Sequence, residues 1–534
     1  MHLLLTVLFC SLVGGAPSER VLESWPAPGP APYGLAWDGT QWWHADSQTQ
    51  TLYAFAGDTH AIVAEISLAR ELRGVADAGE ALWLTWAPNQ VGRFLKAERT
   101  FDRTFVCPEV ERIGGIAFDG QRLFVAATGA GQVHVLDPAT GQPLGTIPTP
   151  GRYPRGLTGR EGWLWVVDSV DRTAYEISPD TGQRRRSLFL SPGHNRGIAW
   201  VGNRLYYSEQ TVPGLYELEF EEHEHFIRSF RRRFRIRYQH WCTNRSPQPL
   251  PRITFYLAVP QSTPKQRIYR LTWLTEPRET FSDPYGQPLA KVVVENLAPG
   301  ETARAGWEVE AEVWGIRYNL PEEGFAPLSE VPADIRKLYC ADGTRLQLDH
   351  PTIQAAAAEV PPAENPCQLV LNLRNAIYAR LQYERDNRWL PAPEVWAQGK
   401  GSCSEYSFVF AALARRLGIP TRFVGGTRFR GKMDERRARD DVFHRWVEVY
   451  LPPYGWLPLD ASADDNKEGR HFCRRNFLAT GCDLFELSRT GGGARPGLGW
   501  DYRSAQVIEW GDLPPEQRKV EGDEVAEWGL IGSD

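Results

Sequence analysis

The sequence predicts a multi-domain protein: an all-β propeller of about five four-stranded blades, a small β-sandwich-like domain, then an α+β core. Three observations carry this. A glycine-led motif returns at Gly34, Gly74, Gly115, Gly156 and Gly197, at spacings of 40, 41, 41 and 41 residues. Residues 222–325 alternate apolar residues with arginine and other polar residues. Beyond them a cysteine, Cys403, opens an apolar helical run, and His444 and Asp460 fall in β-patterned runs downstream. At 534 residues the chain exceeds what a single core usually holds. The expected divisions are 1–15, 20–221, 222–325, 326–487 and 488–534.

Residues 1–15 read as a signal peptide. LLLTVLFCSLV is apolar but far too short to span a bilayer, and Val13-Gly14-Gly15 offers small residues for cleavage, although Met1-His2 lacks a basic residue. Phe9 is too large for the lipidation site that Cys10 would otherwise suggest. The expectation is an exported protein, periplasmic or extracellular. No later apolar stretch is long enough for a transmembrane helix.

Each repeat from 20 to 221 begins with its glycine motif (GLAWDG, GVADAG, GIAFDG, GLTGRE, GIAWVG). An apolar run such as QWWHAD or GWLWVV follows, and then a third strand such as TLYAFA or AYEIS. DPATGQ and SPDTGQ supply turns into a fourth strand. The fifth unit lacks that turn, while Val21–Trp25 precedes the first unit and looks like an outer strand. Closing the ring with Val21–Trp25 removes two free sheet edges. A six-bladed ring drawing a degenerate blade from 221–260 is the alternative. These repeats resemble secreted propellers of the NHL and YVTN type. Some propellers of the lactonase type hold calcium, and Asp46, Asp168, Asn195 and Glu209 lie near strand ends. Turn acids are common in any propeller, however, so a module that binds a protein or glycan ligand is preferred, with no metal and no cofactor.

Residues 222–325 suggest strands with one wet face. Thr352–Glu359, Pro366–Arg380 and Pro393–Gln398 read as helices, with a short extended segment at 381–384. Residues 421–427 then form a strand after the Cys403 helix. Arg428–Asp441 is densely charged and reads as a surface loop or lid. SAQVIEW suggests a last strand, and the acidic tail after it is expected to be loose.

A thiol at a helix N-terminus meets the positive end of the macrodipole, which favours thiolate. His444 is positioned to be its base and Asp460 to orient that base. GKGSCSEYSFVFAALARRLGIPTRFVGG followed by HRWVEVYLPPYGWLPLDAS resembles the core of the transglutaminase-like superfamily of thiol acyltransferases and peptidases. The resemblance implies a papain-like core, with Cys403 as nucleophile, His444 as base and Asp460 as its partner. It also implies attack on an amide bond of a protein or peptide substrate through a thioester. The chain lacks the C-terminal β-domains and calcium sites of animal transglutaminases, so hydrolysis is expected over cross-linking. The Cys403 N–H is one oxyanion donor, and Gln398 is a candidate for the second, with Gln382 a weaker one. Trp446 and Glu448 read as packing and an edge charge, and Tyr406 as either pocket wall or packing. The competing reading is a propeller scaffold with an inactive core.

The net charge of −6 supplies no field for nucleic acid, and Arg184–Arg186 and Arg231–Arg233 read as wet strand faces. Of the cysteines left after the signal peptide, Cys340–Cys367 and Cys473–Cys482 are the plausible local disulfides.

Overall fold

The computed structural model describes residues 23–190, 193–385, 388–432, 435–465 and 474–532. The signal-peptide segment, Val21 and Cys473 lie outside them.

The repeats form five four-stranded antiparallel sheets. The first comprises Pro32–Trp37, Gln41–Asp46, Thr51–Ala56 and Ile62–Ser67, and the next three follow the same order. The fifth takes Asn195–Val201, Arg204–Glu209 and Gly214–Leu218, and Ser24–Pro26 completes it, with Trp25 opposite Leu215. The ring is therefore five-bladed and closed by a strand from the other end of the array. Trp25 explains the closure locally, since it is buried with Trp42 and Tyr206 between the fifth and first blades. The recurring glycine has an equally direct cause. A Cβ on Gly34, Gly115 or Gly197 would lie 2.8 Å from Val75 N, 2.6 Å from Arg155 O and 2.3 Å from Tyr33 O respectively. Inner strands of neighbouring blades touch backbone to backbone there, and only glycine fits.

The strand Phe226–Asn244 alternates as expected, burying Phe234, Ile236 and Tyr238. It lies between Thr302–Tyr318 and Val520–Ile531, in a sheet that continues to Arg437–Asp440. The facing sheet runs Glu279–Ser282, Pro288–Leu297, Leu250–Ala258, Ser504–Glu509. Two expectations are corrected here. The acidic tail is not loose: Val520 to Ile531 pair antiparallel with Asn244 to Arg233, and Trp528 is buried. Its acids meet the arginines of that sandwich, as in Arg245–Glu521 at 2.6 Å. Nor is Arg428–Asp441 only a surface loop. Arg437–Asp440 is an edge strand on that tail, and Asp440 is fully buried, accepting the Arg428 and Phe443 N–H groups at 2.8 and 2.9 Å.

The α+β core places helices Ala333–Tyr339, Pro351–Ala358, Pro366–Arg380, Ala392–Gln398 and Cys403–Arg416 against a sheet ordered Gly455–Leu459, His444–Leu451, Thr421–Arg428, Leu484–Thr490. In the Cys403 helix every residue from Cys403 to Arg415 is buried. An apolar run enclosed on all sides is a core helix, which fixes its N-terminus against the His444 strand. The expected Cys340–Cys367 disulfide is absent, since both are free thiols. Cys340 lies near Arg336 and Arg415, whereas Cys367 lies near Arg184 and Glu322, two different surroundings. Cys482 is also a free thiol. Among the described residues no helix is long and apolar enough to cross a membrane.

Candidate active site

Three local devices present the sulfur of Cys403. Gly399 ends the preceding helix at φ 72°, a left-handed cap that glycine adopts without strain. Gly401 follows, where a Cβ would lie 2.7 Å from the Glu405 Cβ. Glu405 then turns back to accept the Ser402 N–H at 2.7 Å and the Leu390 N–H at 3.2 Å. This buried carboxylate in the first helical turn ties down the entry to the nucleophile turn and complements the dipole. It is the E of GSCSE, two residues past the thiol, and the capping-box spacing was the signal that could have flagged it.

His444 starts its strand immediately after Phe443, which is held at φ 56° by the N–H bond to Asp440. His444 Nε2 lies 2.5 Å from Asp460 Oδ2, and the ring also hydrogen-bonds the Cys403 thiol, for which Nδ1 is the remaining nitrogen. The other oxygen of Asp460, Oδ1, accepts the Ser462 N–H at 3.0 Å, the Ser462 hydroxyl at 3.1 Å and the Ala463 N–H at 3.0 Å. The carboxylate is thereby aimed by the backbone that follows it. Trp446 is fully buried, with its ring centroid 5.9 Å from that of His444 at a tilt of 24°, and it limits where the imidazole can turn.

The electrostatics follow from this geometry. Burial pushes the Cys403 thiol up, but its hydrogen bond with His444 and the charge of His444 outweigh burial and bring it below its ordinary value. The Arg445 N–H, donated to the sulfur, acts in the same direction. Burial likewise opposes charge on His444, yet Asp460 and the thiolate carry it up to about 10. Asp460 is held down to about 2 against its own burial, chiefly by His444. The favoured form of the pair is thus thiolate and imidazolium.

The remaining candidates separate clearly. Gln398 does not present its amide as expected: Nε2 donates to Lys400 O at 2.8 Å, and Oε1 accepts from Arg388 at 3.1 Å. Gln382 is exposed on a two-residue strand paired with Lys400–Gly401. Tyr406 is buried and donates its hydroxyl to Asp465. Glu448 is a buried partner of Arg422 at 2.6 Å and of Arg489 at 3.4 Å. Two residues not singled out from the sequence adjoin the site. Tyr383, opposite Gly401, keeps part of its ring exposed, and its hydroxyl is held above the ordinary tyrosine value by partial desolvation and by the charges of Cys403 and Asp460. Arg445 is enclosed by Trp389, Phe408 and Tyr502, with Cζ 4.7, 4.8 and 4.5 Å from their centroids. Its partners come from three distant segments, which no local pattern reveals.

The propeller acids behave differently. Asp46 Oδ2 accepts the Ala31 N–H at 2.8 Å, and Oδ1 accepts the N–H groups of Gln48 and Thr49 at 3.0 and 2.8 Å. Asp168 repeats the arrangement with Tyr153, Val170 and Asp171. Glu209 accepts the His194 and Thr211 N–H groups at 2.6 and 2.7 Å, and Asn195 Nδ2 donates to Gly193 O at 3.3 Å. Among the described residues no three His, Cys, Asp or Glu side chains gather as a metal would require.

Residues 354–461 match the family described as the transglutaminase-like superfamily, an interval that contains Cys403, His444 and Asp460. No curated protein matches the sequence. Among solved structures, one similar chain is a Cytophaga hutchinsonii protein proposed to be a cysteine protease. It is 17% identical, covers 58% of this chain and 94% of its own, and has a TM-score of 0.42. Glutaminyl cyclase of Myxococcus xanthus is 17% identical over 37% of this chain and 94% of its own, with a TM-score of 0.34. A streptogramin B lyase is 15% identical over 39% and 80%, with a TM-score of 0.27. The chain carries a transglutaminase-like superfamily domain at residues 354–461, behind a five-bladed propeller.

Proposed function

We propose that the protein is an exported cysteine enzyme that hydrolyses amide bonds of protein or peptide substrates through Cys403, His444 and Asp460. The observation that carries this reading is the placement of one buried imidazole between a helix-start thiol and an oriented carboxylate. The Cys403 thiolate attacks the substrate carbonyl carbon, and negative charge collects on the carbonyl oxygen, to which the Cys403 N–H at the helix start can donate. The C–N bond breaks as His444 gives its proton to the leaving amine, leaving an acyl thioester on sulfur. Water then attacks that thioester while His444 takes its proton. The acid departs, and the thiolate–imidazolium pair is restored. Asp460 holds the imidazole in place and stabilises its charged form throughout.

Export rests on the apolar run of residues 1–15, and N-terminal sequencing of the mature protein would test it. The enzymatic reading is tested by incubating wild type and Cys403→Ala with a mixed peptide library that includes glutamine-containing peptides. Mass spectrometry would follow new termini, and a coupled assay would follow ammonia. Products formed by wild type and absent with Cys403→Ala support hydrolysis. Isopeptide products with an added amine would redirect the acceptor from water to lysine, and no turnover with either acceptor would favour the scaffold reading.

A further inference from the structure

The mouth of the propeller channel gathers arginines that the site above does not use. The residue before each close-packed glycine is Tyr33, Arg73, Gly114, Arg155 and Arg196 in the five repeats. The three guanidinium groups converge on Tyr33. Arg155 donates to its hydroxyl at 2.7 Å, and the Cζ atoms of Arg73 and Arg196 lie 4.8 and 5.3 Å from its ring centroid. A cavity of about 440 Å³ opens at this mouth, and Arg112, Arg155, Arg172, Arg196 and Arg475 all line it. Four come from loops and strand starts of the propeller, and Arg475 reaches in from the α+β core.

What distinguishes this cluster is the absence of a directly paired counter-charge among the described residues, since Asp464, Asp483 and Glu209 act on it only from beyond ion-pair distance. Asp464, the carboxylate on the wall, is engaged by Arg374 at 3.4 Å and by the Asn476 N–H and Nδ2 at 2.9 and 2.7 Å. Among the described residues no carboxylate lies within ion-pair distance of any of the five arginines. Elsewhere the chain pairs such groups, as in Arg422–Glu448 and Arg186–Glu176, both at 2.6 Å. Burial, and then the repulsion of Arg475, hold Arg172 down to about 10 against the more distant charges of Asp483 and Glu209. Like charges gathered without a paired carboxylate oppose folding, and a guanidinium presents a planar fork of donors matched to an oxyanion.

We propose that this cavity is a binding site for a small multivalent oxyanion, a polyphosphate or polycarboxylate group held by Arg112, Arg155, Arg172, Arg196 and Arg475. The volume suits a ligand of that size rather than a polymer. Ala463, whose N–H donates to Asp460 Oδ1, also lines the cavity, so the ligand would adjoin the turn that aims Asp460.

The test is isothermal titration of the full chain with tripolyphosphate, citrate and inorganic phosphate at roughly 150 mM salt, where long-range screening is substantial. Wild type is expected to bind tripolyphosphate or citrate saturably at one site, more tightly than inorganic phosphate. The tighter of the two identifies a phosphoryl or a carboxylate ligand. Arg155→Gln/Arg196→Gln and, separately, Arg172→Gln should each weaken binding about tenfold or more. Arg172 makes no side-chain hydrogen bond among the described residues, so its replacement orphans no partner and guards against a variant that merely misfolds. Arg278→Gln, on the sandwich surface, should change nothing. No saturable binding by either multivalent anion, or an affinity unchanged in Arg172→Gln and in the double variant, overturns the proposal.

Discussion

Asp46 in the propeller and Asp460 in the core are the same residue type at the same kind of place: a buried carboxylate ending a strand, with backbone N–H groups closing on it. They differ in one oxygen. Asp46 uses both on N–H donors of its own blade, and a Cβ on Gly29 would lie 2.3 Å from Oδ2, so the backbone wraps it closely. Asp460 gives only Oδ1 to its turn and leaves Oδ2 for His444. A carboxylate whose acceptors are all met by backbone holds a fold together. One with an acceptor left for a titrating partner can tune that partner. The contrast explains why the acids of the lactonase-like reading staple blades, whereas the acid of the core has an oxygen free for the imidazole of the candidate site.

Each prediction tests that contrast. The largest effect is expected from Cys403→Ala, which should remove turnover to background, while Asp46→Ala leaves turnover per folded molecule within about twofold. Asp460→Asn should lower kcat by roughly 10²–10⁴-fold with the fold retained. It should also move the pH profile in a defined direction. The acid limb of activity reports deprotonation of Cys403, and the alkaline limb reports loss of the imidazolium near 10. Asp460 raises His444, so its removal should bring the alkaline limb to lower pH. An unmoved limb would mean that Asp460 does not act through His444. Asp46→Ala should instead cost about 1–3 kcal/mol in urea unfolding of the propeller, by orphaning the buried Ala31 N–H and its neighbours. The smallest effect is expected from millimolar EDTA, which should leave activity unchanged because the propeller acids are committed to backbone donors. Activity lost to chelation would reopen the metal reading.

The parts legible in the sequence were those set by local spacing. The glycine period gave the blades, VLESW gave the closing strand, and Pro366–Arg380 matched its helix because its leucines and Ile377 supply an apolar side, of which Leu371, Leu373 and Ile377 are buried. Cys403, His444 and Asp460 were legible because each sits in a recognisable turn or strand. What escaped notice depends on residues far apart. The tail VEGDEVAEWGLI carries four acids that suggest a solvated end, and it becomes a strand by pairing with an arginine-rich strand nearly three hundred residues earlier. Arg437–Asp440 then pairs with that tail in turn. Proximity along the chain suggests Gln398 as a donor to the site, but its amide is taken by Lys400 O and Arg388, a pairing that depends on the fold of the turn.

The most direct test of the central claim is the rate of iodoacetamide labelling at Cys403 against pH, in wild type and in His444→Ala. The thiolate–imidazolium arrangement predicts fast labelling in wild type well below the ordinary thiol pKa of about 8.5, and a profile shifted to higher pH in the variant. Slow labelling with the same ordinary thiol profile in both proteins would contradict it.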